Sequence, residues 1–124
     1  MAIRIAHDAG APTASIELMI MRPLPDYDLE DIEASIPRDV DPMLASQGFK
    51  DLLDEVRSLL AREAAAINLE ITQLTGAICH DKDVYRPGIW LVLRERTAGK
   101  EMSPAARQHV ATIAETIRVS LSLS

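Results

Sequence analysis

Alternating apolar and polar positions open the chain and predict its first strands. Residues 3–5 alternate as Ile-Arg-Ile, which predicts a brief strand ending at His7-Asp8. Residues 15–22 carry apolar side chains at both odd and even positions, which is typical of a strand covered on both faces for part of its length. The chain therefore begins with β structure.

Helical spacing of apolar residues predicts the next elements. Residues 49–67 place their apolar side chains on one side of a helix and their charges on the opposite side. An Asp-Pro pair at position 41 is a typical helix start, so we expect a helix over residues 41–66. A Ser-Pro pair at position 103 repeats that signal before a second helix, which we expect to end near Glu115. The acidic stretch allows one short helix over residues 29–35.

The remaining patterns predict strands. Residues 69–78 and 88–96 read as an antiparallel hairpin joined by a nine-residue polar loop, with a bulge near Gly76 where the alternation slips. Residues 117–123 alternate strictly between apolar and polar, which favours a C-terminal strand. A helix that continues to the chain end is the alternative for this segment.

The order of elements from residue 15 is then β, α, β, β, α, β. It predicts one α+β domain over residues 1–124, with a ferredoxin-like βαββαβ antiparallel sheet, two helices on one face and a short extra N-terminal strand. The other face would expose the apolar side chains of Met19, Met21, Trp90 and Val92. Because the N-terminal strand or a second subunit must cover them, we expect a homodimer.

Composition and charge exclude several classes of protein. The 124 residues are 48% apolar and 26% charged, which excludes a disordered chain. No apolar stretch reaches the roughly 20 residues of a membrane span, no secretory signal opens the chain, and one cysteine suits a reducing compartment, so we expect a cytoplasmic protein. The net charge of -6 argues against nucleic-acid binding, and the scattered glycines form no phosphate loop, so we expect no cofactor.

The acid is concentrated in one stretch, and this stretch is the predicted partner-binding segment. Its candidate residues are Asp26, Tyr27, Asp28, Glu30, Asp31 and Glu33. The carboxylates suit a basic protein partner, and the tyrosine suits an interface anchor. A solvated acidic loop without a partner is the alternative interpretation.

A second polar cluster follows the predicted strand 69–78. The side chains of His80, Asp81 and Asp83, joined by His7 and Asp8 from the first strand end, have the donor atoms for a divalent metal. Cys79 beside His80 raises the question of a nucleophile and base pair, but adjacent strand residues point to opposite faces. A solvated loop is the alternative here too.

Together these patterns predict a small non-catalytic accessory or regulatory domain that homodimerises and binds a protein partner or a small effector. One alternative is a small metal-dependent enzyme or metal-binding protein that uses the strand-end His and Asp residues. Another is an acidic antitoxin or immunity-type protein that neutralises a basic partner through its acidic stretch.

Overall fold

The residues that the structure describes form four strands and four helices, which confirms the mixed α+β class. The computed structural model describes residues 3–20, 22–33, 36–65, 68–96 and 99–122. The elements are β1 (Ile3–His7), β2 (Thr13–Met19), α1 (Leu29–Glu33), α2 (Pro37–Leu44), α3 (Gln47–Ala65), β3 (Leu69–Asp81), β4 (Val84–Glu95) and α4 (Pro104–Ser122). No helix in these ranges combines the length and apolar character needed to cross a bilayer.

The four strands form one antiparallel sheet in the order β1-β2-β4-β3. In one row across the sheet, Ile5 lies opposite Ile16, Ile16 opposite Leu91, and Leu91 opposite Leu74. The strands β2 and β4 are therefore central, and β1 and β3 are the two edges.

The hydrophobic core lies between one face of this sheet and the helices. The central strands contribute alternate residues to a single buried cluster: Ala14, Ile16, Leu18, Ile89, Leu91 and Leu93. Each helix contributes to the same cluster, for example through Ile32, Met43, Phe49 and Ile117. Because alternate strand residues share a face, all four helices pack on that one face.

The predicted C-terminal strand over residues 117–123 is wrong, because α4 extends to Ser122. Val110, Ile113 and Ala114 form the buried stripe of α4, and Ile117 continues it with no exposed surface. Val119, which the alternation placed beside Ile117, is 39% exposed. Tertiary packing of the helical stripe thus overrides a local pattern typical of strands.

The ferredoxin-like order is consequently not confirmed. The sheet position beside β2, where that fold places its last strand, is occupied by β1. The chain still passes from β2 through helices to β3, with β4 between the two strands. Because β1 extends the sheet sideways, it does not cover the face opposite the helices.

The β3–β4 hairpin differs from the prediction in two details. Its strands continue to Asp81 and restart at Val84, so the loop has two residues and not nine, and Lys82 there adopts a φ of 56°. The bulge lies between Ile71 and Gln73 rather than near Gly76. Cross-strand pairing of the polar residues extends the ladder, since backbone hydrogen bonds do not require apolar side chains.

Serine and aspartate side chains set three of the helix starts. Ser103 Oγ accepts a hydrogen bond from the Ala106 amide at 3.2 Å, which confirms the predicted start of α4. Ser46 Oγ accepts from the Phe49 amide at 3.2 Å and begins α3, so the predicted helix over residues 41–66 is two helices. Asp28 Oδ1 accepts from the Asp31 amide at 2.8 Å and begins α1.

Candidate functional site

The face of the sheet opposite the helices, called the open face below, carries alternate side chains of all four strands. Its members are Arg4, Ala6, Thr13, Ser15, Glu17, Met19, Glu70, Gln73, Thr75, Ala77, Cys79, Arg86, Gly88, Trp90, Val92 and Arg94. None of them belongs to the core cluster. Within the described residues, this face therefore has no helix packed on it.

An apolar strip runs along the centre of the open face. Trp90 lies between Glu17 and Thr75 in the register, and Val92 occupies the next position on the same face of β4. Both side chains are partly exposed, whereas Met19, near the other end of the strip, is only 8% exposed. The sequence correctly placed these three apolar side chains together on the uncovered face; Met21 lies outside the described residues.

Charges of both signs surround this strip. The open face carries three arginines and two glutamates: Arg4, Arg86, Arg94, Glu17 and Glu70. Arg94 forms an ion pair with Glu70 on the neighbouring strand. Because the face is nearly neutral while the chain has a net charge of -6, the excess acid lies elsewhere on the molecule.

A buried thiol lies within the open face because its neighbour on β4 has no side chain. Cys79 is only 1% exposed, and its Sγ passes over Gly88 to approach the Leu18 carbonyl oxygen at 3.9 Å. Burial raises the pKa of the Cys79 thiol to about 12, with a further contribution from the charge and hydrogen bonding of Glu17. The thiol thus remains protonated at neutral pH, and it fills the space above Gly88.

The structure separates Cys79 from its sequence neighbour His80. Cys79 belongs to the open face, whereas His80 belongs to the helix-side face and stacks on Tyr85 with ring centroids 4.7 Å apart. The two adjacent side chains thus lie on opposite faces of the sheet, as the alternation of a strand predicts.

The two His-Asp pairs proposed as metal ligands lie far apart. His7 is on one edge strand and His80 on the other, about 14 Å apart across the sheet at a strand spacing of roughly 4.8 Å. His7 shares a row with Ile71, nine residues before His80, which adds roughly 30 Å along the strand. The structure therefore does not bring the two pairs together.

Their carboxylates occupy turns. Asp8 accepts a hydrogen bond from the Thr13 hydroxyl across the β1–β2 connection, and Asp83 lies in the two-residue β3–β4 turn. The side chain of Asp81 lies outside the described residues. Among the side chains that the structure describes, no group of three or more His, Cys, Asp or Glu residues could hold a metal ion.

The acidic segment, defined as residues 26–33, lies at the start of the helical layer. The side chains of Asp26, Asp28, Glu30 and Asp31 are exposed, as a docking surface requires. The Asp28 and Asp31 carboxylates also accept hydrogen bonds from each other's backbone amides, so these two residues stabilise the start of α1. The side chain of Glu33 lies outside the described residues.

Apolar side chains accompany the carboxylates. Leu29 is 39% exposed and Ile36 is 42% exposed, and both are among the most exposed large apolar residues described. Tyr27, the predicted anchor, is instead partly buried against the core. The sequence does not identify Leu29 and Ile36, because tertiary packing and not the local pattern decides which apolar side chains stay exposed.

Comparisons with known proteins identify no relative of this chain. No family model matches the chain, and no curated protein or solved structure is significantly similar to it.

Proposed function

We propose that the chain is a small non-catalytic accessory or regulatory domain that forms a homodimer through its open face and binds a protein partner. The observation that carries the proposal is the strip around Trp90 and Val92 at the centre of a sheet face on which none of the described helices packs. Apolar surface of this kind, rimmed by polar residues, is typical of a protein–protein contact.

A second copy fits this face better than a strongly charged partner does. The arginines and glutamates lie on the same face, so two copies stacked face to face can place opposite charges against each other. Sheets pack in this way at about 10 Å with their central side chains interleaved. Each copy would then cover the apolar strip of the other.

The substitution Val92→Asp tests the homodimer, because it places a carboxylate in the centre of the proposed contact. The matched control is Val119→Asp on α4, whose side chain is 39% exposed and lies on the helical layer. We expect light scattering to give the control the same mass as the wild type, and Val92→Asp half that mass. Equal masses for all three would contradict the proposal.

Fluorescence gives a second measurement on the unmodified chain. Trp90 is the single tryptophan, and it lies within the proposed contact. We expect its emission to shift to longer wavelength when the wild-type protein is diluted, because dissociation exposes the indole to water. An emission maximum that is independent of concentration would count against the open face as the contact.

The acidic segment supports the partner-binding half of the proposal. Exposed carboxylates that are close in sequence to Leu29 and Ile36 match a partner that combines basic and apolar side chains. An accessory domain's target and an antitoxin's or immunity protein's target would both have this chemistry. The double substitution Asp26→Asn and Glu30→Gln avoids the two helix-start aspartates. Its matched control, Asp51→Asn and Glu63→Gln, removes the same charge from α3.

A synthetic amphipathic peptide of lysine and leucine serves as the probe for this experiment. We expect fluorescence anisotropy to show weaker binding to the acidic-segment variant than to the α3 control. Equal weakening in both would indicate attraction by net charge alone and would argue against a defined docking segment.

The metal-dependent alternative has a separate test. Elemental analysis of protein purified without chelator would detect a bound metal, and His80→Ala would show whether this histidine is a ligand. A stoichiometric metal that disappears in that variant would favour the metal-dependent enzyme or metal-binding protein over the proposed partner-binding domain.

A further inference from the structure

The outer edge of β3 is a second surface of the sheet, distinct from the open face. β3 has 13 residues and, within the described chain, pairs only with β4. The backbone amides and carbonyls on its other side are therefore arranged to pair with a further strand.

This edge lacks the side chains that commonly prevent strand pairing. Between Glu70 and His80 the strand has no charged residue and no proline, although 26% of the chain is charged. Its bulge lies near one end, between Ile71 and Gln73, and leaves the seven residues Gln73–Cys79 in an unbroken register with β4. This regular segment extends roughly 24 Å at 3.4 Å per residue.

The opposite edge of the sheet is shorter and carries a charge. β1 has five residues, and its central portion carries Arg4, whose side chain is exposed. Short edges and inserted charges are the usual protection against edge-to-edge association. The absence of such protection between Gln73 and Cys79 therefore distinguishes β3 from β1.

We infer that two copies of the chain pair their β3 edges antiparallel, about a two-fold axis at Gly76, and so form one continuous eight-stranded sheet. Leu74 and Ile78 lie on the same face of β3, each two residues from Gly76. The two-fold axis places Leu74 of each copy opposite Ile78 of the other, which creates two apolar cross-strand pairs. Ile78, 40% exposed in the single chain, gains a cover.

This symmetry favours a second copy over an unrelated strand. Any extended segment satisfies the backbone groups of the edge, but only self-pairing about Gly76 matches Leu74 with Ile78 in both halves. The inference extends the proposed homodimer and rests on the proposed function only in that the chain associates with itself. We place the open-face axis within the plane of the sheet and across the strands, so that it meets the perpendicular edge axis at the level of Gly76. The two contacts together then give a tetramer of the common D2 type.

The decisive experiment combines one substitution in each contact. Ile78→Lys places a charge on the β3 edge, and its matched control is Ile5→Lys on the β1 edge, where the isoleucine is 37% exposed. Sedimentation of concentrated protein is expected to give a tetramer for the wild type and for Ile5→Lys. We expect a dimer for Ile78→Lys, a dimer for Val92→Asp, and a monomer for the double variant of Ile78→Lys with Val92→Asp.

The outcomes separate the two contacts. If Ile78→Lys has the same mass as the wild type, edge pairing is overturned, whatever Val92→Asp does. If Ile78→Lys halves the mass while Val92→Asp leaves it unchanged, edge pairing holds and the open-face homodimer fails. Circular dichroism of each variant verifies that the mass change does not come from unfolding.

Hydrogen exchange tests the edge without any substitution. Amides of Gln73–Cys79 that face outward from β3 are expected to exchange slowly in concentrated wild-type protein and faster after dilution. Exchange in this segment that is equally fast at all concentrations would overturn the inference.

Discussion

Two glycines on neighbouring strands show how single residues determine the packing of each face of the sheet. A Cβ at Gly76 would point to the helix side and lie 2.9 Å from Phe49 Cε1, a side-chain atom that can move. A Cβ at Gly88 would point to the open face, overlap Cys79 Sγ and lie 2.6 Å from the Leu18 carbonyl oxygen, a backbone atom that cannot move without disturbing β2. A side chain at position 76 therefore requires only another side chain to move, whereas a side chain at position 88 requires the backbone to move.

Substitution of each glycine by alanine tests this difference. We expect Gly88→Ala to lower the free energy of unfolding by about 3 kcal/mol and Gly76→Ala by about 1 kcal/mol, the two ends of the usual range for overpacking. Urea denaturation measures both. Adding Cys79→Ala to Gly88→Ala should recover only part of the loss, because the Leu18 oxygen remains; full recovery would show that the thiol alone is responsible.

Because the Cys79 thiol is buried, we expect the free energy of unfolding to decrease at alkaline pH. The folded-state pKa of Cys79, about 12, lies above its ordinary value of 9.0, so the unfolded chain loses this proton first as pH rises. Stability is therefore fully present below pH 9 and falls between pH 9 and 12, by roughly 1.4 kcal/mol per pH unit at most. Urea titrations of the wild type and of Cys79→Ala measure the difference, and identical pH profiles would contradict the burial of this thiol.

At the scale of elements, the C-terminal helix gives the clearest test of packing against pattern. Ile117→Ala removes a fully buried side chain and should cost about 3 kcal/mol of stability, whereas Val119→Ala changes a side chain that is 39% exposed and should cost less than about 0.5 kcal/mol. A C-terminal strand with both residues on one face would make the two losses similar. Thermal or urea denaturation of the two variants distinguishes these arrangements.

Elements with a strong local signal were predictable from the sequence. The alternation over residues 3–5 predicted β1, the apolar stripe over residues 49–67 predicted most of α3, and the Ser103-Pro104 pair predicted the start of α4. Each of these signals depends on neighbouring residues alone. For the same reason, the pairing of two strands into an antiparallel hairpin was predictable, although its loop length was not.

Elements that depend on distant contacts were not predictable in the same way. Residues 79–87 are polar, and only their pairing with each other, including the stacking of His80 on Tyr85, extends the hairpin to a two-residue turn. The alternation predicts a bulge near Gly76. The missing side chain of this glycine instead makes room for Phe49 of α3, which is 27 residues earlier. Sequence spacing contains no information about such close approaches.

At the scale of the whole molecule, the candidate site was predictable only in outline. The period of two along β4 placed Trp90 and Val92 on an uncovered face, and Met19 followed from the pattern of β2. The contribution of Cys79 depends on reaching over Gly88 to Leu18, which requires the strand order β2-β4-β3. Likewise, the separation of His7 from His80 follows from the placement of β1 and β3 at opposite edges.

The distribution of charge predicts opposite salt effects on the two proposed interactions. Two copies with a net charge of -6 each repel at long range, while the open face that joins them is nearly neutral, so salt should strengthen their association. Binding of a lysine-rich peptide to the acidic segment depends on attraction between opposite charges, so salt should weaken it. The Debye length falls from about 30 Å at 0.01 M salt to about 3 Å at 1 M, so both effects should be measured between these two salt concentrations.

Sedimentation measures the first effect and fluorescence anisotropy with the peptide measures the second, in the same series of salt concentrations. Val119→Asp is the control for sedimentation, because it adds a negative charge outside the open face and should make the salt effect on association larger. If salt instead dissociates the wild-type protein, ion pairs between the arginines and glutamates of the two copies stabilise the contact more than the strip around Trp90 does. Such a result would move the main source of affinity from apolar burial to charge pairing.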